Sequence, residues 1–220
     1  MSVMNGFRSN LTDRLIGVNS HLNIYSFNEQ IKESEIEIIK KSLDSNSYKN
    51  LYPSIETQGL VISDNISKGV IIRAYDDIDS KHYLYDKIVT KKLDLIHFDK
   101  VIVGDAMANE LDLKLGDPIK IAIPKTDKSL LGNIPRFKTL KINGIFDFGM
   151  FEYDSNLVFI SLELSRKLLL FEDDTYNRLE FYLYDPLKVN SFKELIDSKI
   201  KNNNLNLYSL SWMDRNSSLM

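Results

Sequence analysis

The sequence predicts an α+β fold in two lobes: a split strand-helix-strand lobe with a β-rich lobe inserted into it. Two observations predict this. The outer segments, 18–58 and 175–212, each hold a strand, a helix and a second strand, whereas the middle, 59–174, is strand-rich with only short helices. The chain has 220 residues, 43% of them apolar, which is enough for one large core or two small ones. The first and last segments of a domain tend to lie near each other, so pairing them into one lobe is the economical topology.

The elements follow in chain order. Met4, Phe7, Leu11 and Leu15 repeat at nearly helical spacing, and Gly17 is a suitable stop. His21 to Tyr25 reads as a short strand. Ser34 and Glu37 stand at capping-box spacing before Ile36, Ile39 and Leu43, which predicts a helix over 34–43. Gly59–Ser63 and Gly69–Ala74 are β-branched runs separated by Asp64-Asn65, a hairpin signal. Ser80 to Leu95 is mixed and charged, and predicts loop with a short helix. Val101–Val103 is a strand that turns at Gly104-Asp105 into a short helix through Leu111. After the turn Leu115-Gly116-Asp117-Pro118 comes a strand over Ile119–Ile123. Leu140–Phe146 and Leu157–Ile160 are strands, with Gly149 between them. Ser161 precedes an apolar-rich helix over 162–170, with Glu163 in its first turn. Arg178 to Tyr184 alternates in polarity and ends at Asp185-Pro186. Phe192 to Ile200 is helical, Asn202–Asn204 breaks it, and Asn206–Leu210 is the final strand.

Composition removes several chemistries. The chain has no cysteine, so thiol catalysis, disulfides, Cys-ligated zinc and iron–sulfur clusters are excluded. His21, His82 and His97 are isolated, with no H-x-x-x-H spacing. Asp76-Asp77-Ile78-Asp79 lacks the alternating ligands, the Gly and the terminal Glu of a calcium loop and reads as a solvated acidic turn. Glu152 and Asp154 share a face if their segment is a strand. No G-x-S-x-G elbow and no G-K-[ST] phosphate loop occurs, so no nucleotide binds through a Walker loop here. The reading is therefore of a non-enzyme without a cofactor or a metal. A formal net charge of −3 provides no field for a polyanion, which argues against nucleic acid as a partner. The start, Met1 to Phe7, lacks the pattern of a signal peptide, and no run reaches the roughly 18 apolar residues of a membrane span.

What stands out is the excursion Pro124 to Lys141. Lys125, Lys128, Arg136, Lys138 and Lys141 concentrate positive charge there, with Leu130, Leu131, Ile134 and Phe137 among them and Pro124, Gly132 and Pro135 punctuating it. Apolar anchors inside a basic rim suit a protein-binding projection. A solvated hairpin whose apolar residues fold back on the sheet fits the same composition.

Four stretches together resemble a known family. They are Ser2-Val-Met-Asn-Gly-Phe7 with Leu11 and Leu15-Ile-Gly17; Val101-Ile-Val-Gly-Asp-Ala-Met-Ala108 with Leu111 and Leu115-Gly-Asp117; Gly132-Asn-Ile-Pro-Arg136 leading to Gly144-Ile-Phe146 and Gly149-Met-Phe-Glu-Tyr-Asp154; and Asp185-Pro-Leu-Lys-Val189 with Trp212-Met-Asp-Arg215. In this order they resemble the periplasmic domain of the LolC/LolE family, the permeases of the lipoprotein-releasing ABC transporter of Gram-negative bacteria, built on a MacB-like periplasmic core.

The resemblance implies a two-lobed MacB-like domain facing the periplasm from the cell inner membrane. Residues 1–17 would be the end of a first membrane helix and its extension. Residues 18–58 with 175–212 would form the split lobe, 59–174 the inserted lobe and 213–220 the lead-in to a second membrane helix. The implied partners are a second LolC/LolE-type permease subunit, the cytoplasmic ATPase LolD, the periplasmic carrier LolA and a lipoprotein substrate. A projecting hook in this family binds the carrier and maps onto 124–138, so the implied carrier-binding residues are Leu130, Leu131, Ile134, Pro135, Arg136, Phe137 and Lys138. Lys138 stands where the LolC branch has an Arg, and Phe137 stands where it has a polar amide. The alternative is the mechanotransmitting periplasmic domain of another MacB-like exporter, without carrier docking.

Overall fold

The computed structural model describes residues 18–64, 66–90, 97–124 and 136–215. The elements are β1 (Leu22–Ser26), β2 (Ile31–Lys32), α1 (Glu33–Ser42), β3 (Asn50–Ser63), β4 (Ile66–Tyr75), β5 (Lys100–Gly104), α2 (Asp105–Glu110), β6 (Pro118–Ile123) and β7 (Arg136–Phe146). They continue with α3 (Phe151–Asn156), β8 (Leu157–Ser161), α4 (Leu162–Leu169), β9 (Thr175–Tyr176), β10 (Arg178–Tyr182), α5 (Val189–Asn202), β11 (Leu207–Ser211) and α6 (Trp212–Arg215). Short 3₁₀ turns occupy Tyr85–Lys87 and Pro186–Lys188. The fold class is α+β, as the sequence predicts. The chain forms two compact units, one ending at Pro53 and resuming at Asp174, the other spanning Ser54–Asp173.

The split unit is an antiparallel sheet in the order β11-β1-β10, extended by the first residues of β3. Leu22, Ile24, Leu179 and Phe181 are fully buried in it. Phe192 of α5 meets Phe181 edge-on at 5.3 Å, and Ile36 and Ile39 of α1 and Ile196 of α5 are also fully buried. Each such side chain contributes about 1.5–3 kcal/mol on burial, so this small core is held by its apolar stripes. The Ser34/Glu37 capping box does not form. Ile31 is drawn into pairing with Tyr176, so α1 starts at Glu33 and it is the Glu35 carboxylate that accepts the Lys32 N–H at 2.9 Å.

The inserted unit is a closed six-stranded barrel in the order β3-β4-β8-β5-β7-β6, with β6 returning to β3. β4–β8 and β5–β7 are parallel pairs, and the other pairs are antiparallel. Ile55, Val61, Ile72, Val101, Val103 and Ile121 are fully buried, while Leu60 and Ile71, their neighbours in sequence, are exposed on the outer wall. That alternation is the period-2 signal of a strand with one buried face. Closure needs a glycine. A Cβ on Gly59 would stand 2.7 Å from the carbonyl oxygen of Ala122 and 2.6 Å from Cδ1 of Ile72.

Three further readings change, those of 147–156, β3 and β7. The 147–156 segment is not extended: it turns at Gly149 and forms α3, so Glu152 and Asp154 do not share a strand face. β3 begins near Asn50 and β7 at Arg136, both earlier than the sequence predicts. The helix over 4–17 and the tip of the 124–141 excursion lie outside the described residues.

Candidate functional site

β6 and β7 form an antiparallel ladder in which Ile123 faces Arg136, Ala122 faces Phe137, Ile121 faces Lys138 and Lys120 faces Thr139. Pro124 and Arg136, which bound the basic, apolar segment, therefore stand at the end of this ladder. Leu130, Leu131, Ile134 and Pro135 lie outside the described residues, as do Lys125 and Lys128.

The three described candidates do different things. Phe137 is 60% exposed on the outer wall, with the Lys120 ammonium 5.0 Å from its ring centroid. Lys138 reaches the Phe98 ring at 5.0 Å, and Lys167 of α4 reaches the same ring at 4.2 Å. Such cation–π contacts are worth about 0.5–1 kcal/mol at exposed sites, enough to orient side chains but not to hold a fold. Arg136 turns inward and donates from Nη1 to the main-chain oxygen of Leu168 at 3.2 Å, closing the C-terminal end of α4. Helix C-termini leave carbonyls unpaired, and a cation there is favourable. Of the three, Arg136 bonds to the main chain, Phe137 is exposed and Lys138 is half-buried.

Lys100, Lys120, Lys138 and Lys141 all belong to β5, β6 and β7, and none forms an ion pair among the described residues. Sequence reasoning missed Lys100, Lys120, Phe98 and Lys167. Strand register brings Lys100 and Lys120 beside 136–138, and packing of the turn before β5 and of α4 brings Phe98 and Lys167, none of which a local pattern reports.

Among the described residues, the titratable groups form no second cluster. Asp154 is buried, and its carboxylate accepts the main-chain N–H groups of Phe148 at 2.8 Å and Met150 at 2.9 Å. Burial pushes its pKa above the ordinary carboxylate value, and the two N–H bonds pull partly back. His97 sits 2.9 Å from Asp99 at an exposed position, and that hydrogen bond holds the Asp99 carboxyl below its usual range. His82 is buried against Tyr75 and Tyr83. His21 accepts the Leu183 N–H on Nδ1 at 2.8 Å. In the acidic turn two carboxylates bond to the turn's own main chain, Asp77 accepting from Ile78 and Asp79 from Lys81 and His82. No group of three metal-ligating side chains occurs among the described residues. No helix among them is long and apolar enough to cross a membrane.

The split unit ties the first described segment to the last. β1 and β11 pair over five residues, from Leu22 with Ser211 to Ser26 with Leu207. Beyond the ladder, the Trp212 N–H donates to the oxygen of His21 at 2.9 Å, and Arg215 donates to that of Ser20 at 3.3 Å. The indole of Trp212 bonds the Pro186 oxygen at 3.1 Å.

No protein-family model matches the chain. Its sequence is similar to the lipoprotein-releasing system transmembrane protein LolC of Xylella fastidiosa strain Temecula1, 21% identical over 188 residues. It is 24% identical over 191 residues to LolC of Neisseria meningitidis serogroup B. Each match takes in 84% of this chain and 45% of the relative, so the chain spans about half the length of the curated relatives it matches. Among solved structures, the periplasmic region of MacB from Actinobacillus actinomycetemcomitans superposes with a TM-score of 0.56 at 11% identity, covering 94% of both chains. The extracellular domain of the ABC-type transporter YknZ from Gram-positive bacteria gives a TM-score of 0.53 at 12% identity, covering 88% of this chain and all of that one. The chain is thus MacB/LolC-like: it has the fold of the extracytoplasmic domains of ABC-transporter permeases and is similar in sequence to LolC over most of its length.

Proposed function

We propose that this chain is the extracytoplasmic domain of an ABC-transporter permease and passes movement of the membrane segments to a substrate outside the membrane. The observation that supports this is the pairing of β1 with β11, extended by the Trp212–His21 and Arg215–Ser20 bonds. Both ends of the described chain are fastened to one another, so displacement of either end is carried into the sheet rather than lost in a loose tether. The permease pairs with a second permease subunit and is driven by a separate cytoplasmic ATPase of the LolD type. It resides in the cell inner membrane, with this segment in the periplasm.

The finer reading is lipoprotein release with docking of the carrier LolA. Similarity to LolC supports it, as does the exposed Phe137 with Lys120 and Lys138 at the root of the basic excursion. Titration calorimetry of this chain against the LolA-type carrier of its own organism tests it, at low and moderate salt. Saturable 1:1 binding that weakens with salt is expected, because exposed charges are screened beyond a Debye length. Phe137→Ala with Lys138→Ala should weaken it by about tenfold. Affinity unchanged in that pair and in a deletion of 128–134 excludes the carrier, and leaves mechanotransmission in a MacB-like exporter.

A further inference from the structure

His21 stands where three segments of the split unit meet. Its main chain carries two of the joins: its N–H donates to the Phe181 oxygen at 2.9 Å, and its oxygen accepts the Trp212 N–H at 2.9 Å. Its ring makes the third. Nδ1 accepts the N–H of Leu183, 162 residues away in sequence, at 2.8 Å. His21 is buried. The loop that Leu183 opens is held from the far end of the chain as well, because the Trp212 indole donates to the Pro186 oxygen at 3.1 Å. One imidazole and one indole therefore lace β1, the 183–188 loop and α6 together.

The imidazole bond depends on protonation. A ring nitrogen accepts only with its lone pair free, so Nδ1 is unprotonated and the neutral ring carries its proton on Nε2. An imidazolium has a proton on both nitrogens and sets two N–H groups against each other at Leu183. Burial disfavours the charged ring further. Among the described residues, β10 brings Arg178 and Glu180, paired at 2.8 Å, and Tyr182, whose ring lies 5.6 Å from that of His21 and whose hydroxyl donates to Glu180. The loop after β10 brings Asp185 and Lys188, 4.0 Å apart. The start of β3 brings Tyr52, edge-on to Tyr182 at 5.8 Å, with Lys49 just before it. α6 brings Arg215 and Asp214, which accepts the Ser211 N–H at 2.8 Å. Each carboxylate in this set has a partner, and lysines and arginines outnumber them, so the surroundings do not favour another positive charge. The Nδ1 bond of His82, by contrast, reaches only Leu84, two residues on.

We propose that His21 is a proton-operated clasp. Neutral, it holds the loop after β10 against β1. When solvent delivers a proton to Nδ1, the Leu183 N–H loses its acceptor and turns to water, the 183–188 loop loosens, and the Trp212 indole loses its seat on Pro186. The tie between the first and last described segments is then weaker in acid than at neutral pH. Histidine is the side chain that changes charge in this range, and a domain outside the cytoplasm meets the pH of its surroundings. The consequence for transport rests on the mechanotransmitting function proposed above, whereas the clasp is a property of this chain alone.

Trp212 is the single Trp of the chain and part of the clasp, so its fluorescence reads the event. In the full chain, its emission should move to longer wavelength as the pH falls through about 6.5, with far-UV circular dichroism unchanged. His21→Asn offers an amide oxygen in place of Nδ1 and cannot titrate, so it should abolish the shift, and His82→Asn should keep it. Emission constant from about pH 8 to about 4.5 overturns the proposal, as does a shift of equal size in His21→Asn. Amide exchange on the parent needs no variant. Across the same range the protection factor of Leu183 should fall by about tenfold relative to that of Leu179, the loss of one hydrogen bond, and a constant ratio overturns the proposal. Neither measurement involves transport, so failure of the clasp leaves the proposed function standing, and failure of that function leaves the clasp.

Discussion

A Cβ on Gly104 would overlap the main-chain carbonyl of Asp154. Gly104 ends β5 and precedes α2, and its missing side chain is what lets α3 close on that strand. The Gly104→Ala variant should therefore lose about 1–3 kcal/mol through overpacking against backbone, which yields less than a flexible side chain does. Gly69→Ala, with nothing within 4 Å, is the control and should stay within about 0.5 kcal/mol. Urea denaturation of both checks this, and equal losses would show that strand propensity rather than contact governs the site.

Asp154 gives a pH-dependent signature with a definite sign. Its folded pKa is raised, so between the ordinary carboxylate value and the folded value the native state binds more protons than the unfolded state. Its contribution is most favourable below the ordinary value and is lost as the pH climbs through the folded value. Asp154→Asn removes this titration. The stability advantage of the parent over the variant should therefore shrink as the pH rises from the acid range towards neutrality. Denaturation midpoints at several pH values read this directly, and a growing advantage would mean that the two N–H bonds outweigh burial.

Arg136 and Phe137 are adjacent but should separate cleanly. Arg136→Ala frees the Leu168 carbonyl and should cost about 1 kcal/mol of stability. Phe137→Ala removes an exposed ring and should leave stability within about 0.5 kcal/mol, while weakening carrier binding. Thermal unfolding and calorimetry on both variants distinguish a structural from a docking residue. A binding loss confined to Arg136→Ala would reverse the assignment.

Local signals made much of the fold legible. Ser161 caps α4 by accepting the Leu164 N–H at 3.2 Å, as its position before an apolar run predicts. The β3–β4 hairpin turns where Asp64-Asn65 predict. What stayed hidden depends on partners distant in sequence. Barrel closure rests on Leu60 meeting Ala122, and α3 is held by a carboxylate bonded to the loop before it. At the candidate site, composition marked Phe137 and Lys138, but the inward turn of Arg136 depends on where α4 ends. The Phe98 ring that Lys138 shares with Lys167 comes from the turn before β5, and Lys167 from α4.

Arg178 and Glu180 show the same limit in the split unit. The alternation from Arg178 to Tyr184 suggests a strand with a wet face. Instead every residue of β10 is buried, and Arg178 and Glu180 pair at 2.8 Å with side chains 1% and 0% exposed. Tyr182 adds a hydrogen bond to the second Glu180 oxygen at 3.2 Å. β10 is flanked by β1 on one side and the start of β3 on the other, so its charges are satisfied inside the protein or not at all. Removing one partner leaves the other charge buried, so Glu180→Gln should cost about 3–5 kcal/mol. Replacing both with apolar residues of similar volume, Arg178→Met with Glu180→Leu, should cost much less, because the desolvation of both charges is relieved together. A double-mutant cycle by chemical denaturation measures the difference. If the double variant is as unstable as the sum of the singles, the pair is held by the surrounding network rather than by the charges themselves.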